Sequence, residues 1–160
     1  MREIRHACEV AQRLIAALDD AISNARDLGG PMAALDAQSL FAAASRRNEC
    51  NAVTAGLVGE LGEAVRATAH ALGWQELTVA RLKIELPEEG SRLEGLLANV
   101  RRRASTLHQI DATNRARGNR ALAWMRILIA GHTGQTPTTA YDRRGGHASM
   151  PAVSTSTRTL

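Results

Sequence analysis

The sequence has few of the residues that fill a thick core. It holds one Phe, one Tyr and two Trp in 160 residues, although 44% of the chain is hydrophobic. Ala and Leu are left to do the packing. Ala-rich faces let helices approach closely but bury little area each, which favours elongated helix pairs over a thick globule and a stability toward the low end of ~5 to 15 kcal/mol. Cysteine is scarce as well. Cys8 and Cys50 lie far apart, without a C-x-x-C neighbour and close to apolar positions, which predicts reduced thiols in place of a disulfide or a metal site. No apolar run reaches the ~18 residues of a membrane span, and Met1-Arg2-Glu3-Ile4-Arg5-His6 lacks the apolar segment of a signal peptide. A cytoplasmic location is therefore expected. His6, His70, His108, His132 and His147 show no ligand spacing, and no Ser, Cys or carboxylate sits in a nucleophile or acid/base motif. The Gly29-Gly30 pair stops a helix instead of following a strand to cradle a phosphate. The expectation is a protein without catalytic residues, metal or cofactor.

What is present is helical periodicity with clear punctuation. Ile4, Cys8, Ala11, Ile15, Leu18, Ile22 and Ala25 alternate spacings of four and three, which predicts a first helix ending at Gly29-Gly30-Pro31. A second helix is expected from Asp36, as N-cap, to Gly73, with Leu40, Ala44, Val58, Leu61, Val65 and Leu72 on one seam and a polar stretch of Arg47, Asn51 and Thr54 at its middle. Gly56, Gly59 and Gly62 each cost that helix ~1 kcal/mol relative to Ala. Close approach of another helix, local softness and simple drift all account for them. The segment from Trp74 to Gly90 reads as a connector, and a short strand and a turn around Leu77 to Leu86 both fit it, so its structure is left open. A third helix then opens at Ser91, whose hydroxyl and the Glu94 carboxylate form a capping box, and continues through Leu93, Leu97, Val100, Ala104 and Leu107 to about Gly131. Asp111 and Asn114 interrupt its seam. Asn51 set against Asp111 or Asn114 makes a register-fixing polar layer, the alternative being a solvated kink.

These parts predict an all-α fold, an elongated antiparallel three-helix bundle or helical hairpin over residues 1–131, followed by a flexible C-terminal tail over 132–160. The tail is rich in Ser, Thr, Gly and Pro, and Tyr141 is its one aromatic residue. Leu122, Met125, Leu128 and Ile129 form an apolar strip near the end of the third helix. That strip serves either a partner helix laid beside it or packing on the first two helices. Charge is uneven: residues 91–131 carry eight Arg against Glu94 and Asp111. Three readings fit that excess: a solvated face, an acidic protein partner, or nucleic acid. Nucleic acid is the weakest of the three, because Arg101-Arg102-Arg103 spread around the helix and no aromatics interleave for base stacking.

The order of parts is two capped helices, a third helix carrying Asn114-Arg115 and Gly118-Asn119, then Thr133-Gly134-Gln135, and then Tyr141-Asp142-Arg143-Arg144-Gly145. This order resembles the FlgN family of flagellar type III export chaperones. Arg117 stands where the family pattern has a second Asn, and the Tyr141 to Gly145 element is one residue longer than the common form. The resemblance implies a slender cytoplasmic three-helix protein that holds hook-filament junction (hook-associated) proteins by their C-terminal helices before secretion. It also implies delivery to the cytoplasmic domain of the export gate through the C-terminal segment, with Tyr141 as the docking residue and no membrane insertion.

Overall fold

The computed structural model describes residues 2–34 and 36–133, and every regular element among them is helical. The order is α1 (Arg2–Asp27), α2 (Gly29–Ala34), α3 (Ala37–Ala71), α4 (Val79–Glu85) and α5 (Pro87–Thr133). Contacts divide the chain into two compact units, Met1–Gly118 and Asn119–Leu160. The break falls inside α5. His132 and Thr133 of the expected tail belong to α5, and its residues 134–160, Tyr141 among them, lie outside the described residues.

The core of the first unit is organised by α1. Ile4, Val10, Leu14, Leu18 and Ile22 are all buried, together with Ala7, Cys8, Ala11, Ala21 and Ala25. The expected seam is there, but widened by Ala7, Val10, Leu14 and Ala21, while Ile15 is only half-buried. The physical reason is that α1 packs on two elements at once. A helix with one partner needs a narrow stripe, and one lying between two partners needs a broad face. One cluster joins Ile4, Ala7 and Cys8 to Ala64 and Ala69 of α3, Trp74, Leu82 of α4 and Leu93 of α5. The other joins Val10, Ala11, Leu14 and Leu18 to Leu57 and Leu61 of α3, with Val100 and Leu107 of α5 against it. Arg13 donates to Glu60 at 2.8 Å, and Arg47 reaches the Ala21 carbonyl, so α3 runs antiparallel to α1. Arg103 donates to Asp19 at 2.7 Å and Asn114 to the Ala25 carbonyl at 2.6 Å, so this part of α5 runs parallel to α1.

The helix ends follow local chemistry. Asp36 caps α3 as expected, its carboxylate accepting from the Gln38 and Ser39 amides at 3.1 and 3.2 Å. Hydrogen bonds from Ser39 hold that carboxyl below the usual range, so the cap is intact at neutral pH and is lost as acid protonates it. At the other end, the Gly73 amide bonds to His70 and the Trp74 amide to Ala69, a Schellman arrangement with Gly73 at φ 70°. Trp74 follows directly into the core, with the Arg81 guanidinium 4.3 Å from its ring centroid.

Two expectations are corrected here, and the connector left open by the sequence gains a structure. The Gly29-Gly30-Pro31 stop ends α1, but the chain re-forms a short helix through it, because a proline in a first turn removes an amide that needs no partner. The connector holds a helix, not a strand: Leu82 of α4 is fully buried among α1, α3 and α5 residues, and that anchor outweighs the β-branched Val79 and Ile84. The third long helix starts at Pro87, four residues before the expected capping box. Proline suits a first helical position, and the Gly90 amide already bonds to Leu86. Glu94 instead accepts from Lys83 of α4 at 2.8 Å. Gly90 is required there, because a Cβ would sit 2.7 Å from the Lys83 amide nitrogen.

Candidate docking surfaces

Two places on the molecule hold the residues singled out from the sequence, and they differ in kind. The first is a polar layer at the C-terminal end of α1. Arg47 of α3 is largely buried and pairs with Asp111 of α5, while its other nitrogen faces the Ala21 carbonyl at 3.4 Å. One turn on, Asn114 is buried and spends its amide on the Ala25 carbonyl. Asn24 lies close in sequence to these contacts, and its buried Oδ1 has no hydrogen-bond partner among the described residues. Asp111 and Asn114 make these contacts, whereas Asn51 takes no part in them. Asn51 lies on the exposed side of α3, and Arg47, one turn earlier, is the residue that faces α5. An arginine can span the gap that a shorter Asn cannot, and its fork engages a carboxylate and a carbonyl together. The polar stretch of Arg47, Asn51 and Thr54 on α3 was the available signal, since a partly buried Asp111 needs a cation opposite it.

The second place is the α5 segment of the second unit. Leu122, Met125, Leu128 and Ile129, the expected strip, are between 39% and 66% exposed. Trp124 and Ile127, absent from the sequence reading, are exposed with them. Six large apolar side chains within eight residues of this segment are thus exposed. A helix this apolar around most of its circumference is ordinarily a covered one.

The remaining features carry less. Gly56, Gly59 and Gly62 have nothing within 4 Å of a built Cβ, so no described helix approaches them closely. Beside them a groove between α1 and α3 is lined by Ala16, Ala52, Val53, Gly56 and Leu57, open to solvent and small-residued. Cys8 is buried and Cys50 half-buried, both free, and burial pushes the Cys8 thiol up from its ordinary pKa. Among the described residues no group of His, Cys, Asp or Glu is placed to hold a metal ion. None of the described helices is long and apolar enough to cross a membrane. Some of the α5 arginine charge is met within the first unit, where Arg103 pairs with Asp19.

Comparison with known proteins adds no relative: no family model, no curated protein and no solved structure matches this chain.

Proposed function

We propose that this protein is a cytoplasmic export chaperone of the flagellar type III system, built as an elongated three-helix bundle with a docking tail. In this reading it holds the C-terminal helices of hook-associated proteins on the α5 strip and passes them to the cytoplasmic domain of the export gate. The observation that supports the reading most is the strip itself. Leu122, Trp124, Met125, Ile127, Leu128 and Ile129 are exposed on one helical segment, a surface suited to an amphipathic client helix and unsuited to standing in water. Met125 adds an adaptable contact of the kind that accepts more than one client. The polar layer of Arg47, Asp111 and Asn114 has a scaffold role here: it fixes the register of α3 and α5 on α1 and leaves the strip to the partner.

The alternative, a small basic helical nucleic-acid binder, rests on the α5 arginines, among them Arg101 and Arg102 on an exposed face. It is weakened by the Arg103 to Asp19 pair and by the lack of any exposed aromatic next to that cluster. Recovery of bound material from native cytosol separates the two readings. Secreted flagellar components retained by the wild type and lost with Leu122→Asp plus Met125→Asp support the chaperone; retained nucleic acid, or no bound material, overturns it. Tyr141→Ala leaves client affinity unchanged and weakens binding to the gate domain. Equal gate affinity of both proteins, measured by calorimetry with client present, removes the tyrosine from the docking role.

A further inference from the structure

The two ends of the first unit grip α5 by different means. Leu93, Leu96, Leu97, Val100 and Leu107 supply the α5 side of the two apolar clusters. The next two turns, residues 111–118, meet α1 and α3 through polar groups. Asp111 pairs with Arg47 of α3, and Asn114 donates to the Ala25 carbonyl of α1. Toward α2 the approach is made by the tips of long side chains: Met32 Cε is 4.0 Å from the Cβ position of Gly118, and Arg117 Nη1 is 3.3 Å from that of Gly29. Ala21, Ile22 and Ala25 of α1 are buried at this end, yet they belong to neither apolar cluster.

Closing this end carries a cost that the apolar end does not. Asn24 is only 9% exposed, and its Oδ1 has no hydrogen-bond partner among the described residues. The Arg47 side chain, 14% exposed, brings a guanidinium out of water with it. A buried acceptor left unpaired forfeits the hydrogen bonds that water gave it, and a desolvated ion pair regains only part of what its charges lose. Both losses are recovered when water enters. We infer that residues 111–118 are a clasp, a part of α5 that opens from α1 and α3 as a unit while 93–107 stay packed. Opening hydrates Asn24, bares Ala21, Ile22 and Ala25, and makes the register lock of the polar layer reversible. Proteins open in such cooperative units below the free energy of global unfolding, and the parts poorest in apolar contacts open first. The clasp works whether or not the strip binds a client.

Native-state hydrogen exchange of the full chain in rising, sub-denaturing urea, read by mass spectrometry, tests this. In the wild type the amides of 111–118 are expected to be about 100-fold less protected than those of 10–18 and 93–107, and to share one opening with a smaller urea dependence than global unfolding. Leu14→Ala removes contacts that the open clasp keeps, so it lowers the protection of 10–18 and leaves that of 111–118 unchanged; Val10→Ala serves in its place should that variant not fold. Asp111→Asn breaks the pair with Arg47 and is expected to lower the protection of 111–118 by about tenfold. Equal protection and urea dependence of 111–118 and the core, or a core variant that lowers both by the same factor, leaves only global unfolding and overturns the clasp. Exchange of 111–118 without any urea dependence means fraying in place of a cooperative opening, which overturns it too. Unchanged protection in Asp111→Asn removes the polar layer as the fastening and has the same result.

Discussion

The α1 helix and the last turns of α5 have similar aliphatic content and opposite fates. In α1, Ile4, Val10, Leu14, Leu18 and Ile22 are no more than 7% exposed, whereas in α5 the large apolar residues between Leu122 and Ile129 are at least 39% exposed. The difference lies in what accompanies them. Along α1 the apolar positions alternate with Arg, Glu and Asp on an opposite face, so one side is a core and the other is water. Between Leu122 and Ile129 only Arg126 is charged, and the apolar residues occupy most of the circumference. A clean amphipathic pattern finds its partners within one chain; a nearly all-round apolar segment asks for more cover than its own described neighbours supply.

The contrast is open to test, and the largest effect belongs to α1. Leu14→Ala, at 1% exposure between α3 and α5, is expected to cost about 2 to 5 kcal/mol in urea unfolding, because the site is too tightly enclosed to collapse. A loss well under 1 kcal/mol would mean that α1 is not the centre of the core. Next comes the polar layer. Asp111→Ala strands the largely buried Arg47 and is expected to cost about 1 to 3 kcal/mol, and the double change with Arg47→Met recovers part of that. Full additivity of the two would show that the pair is not coupled. Gly59→Ala in α3 meets open space and is expected to stabilise by about 0.5 to 1 kcal/mol, so a destabilised variant would reveal close approach by a partner. The smallest effect is at the strip, where Leu128→Asp is expected to stay within about 0.5 kcal/mol of wild type while abolishing client binding. Unfolding of that variant would make the strip a second core and erase the comparison.

The cysteines sharpen it in another way. Cys8 sits in the α1 core with its thiol pKa raised by burial, so it stays protonated at neutral pH and resists alkylation until the protein unfolds. Cys50 is half-buried on α3. Iodoacetamide followed by mass mapping of the folded protein should therefore modify Cys50 first. Cys8 reacting at the same rate would place the α1 core among the easily opened parts of the molecule.

Much of this was written locally in the chain. The seam of α1, the Asp36 cap, the Gly73 terminus and the apolar strip are set by side chains within a turn or two of each other, where propensity and hydrogen bonding act without distant help. Other features needed the tertiary structure. Ser91 and Glu94 have the form of a helix start, but Pro87 four residues earlier begins α5, and Glu94 is drawn to Lys83 across the α4–α5 turn. Leu77 to Leu86 stood open between strand and turn, whereas Val79–Glu85 is a helix that buries Leu82 in the core. Asn51 and Arg47 are one turn apart on the same face pattern, and the choice between them as partner of Asp111 depends on the axial register of α3 against α5. Periodicity fixes which residues share a face, while which face meets which partner is a long-range packing outcome that a period of 3.6 leaves open to within a turn.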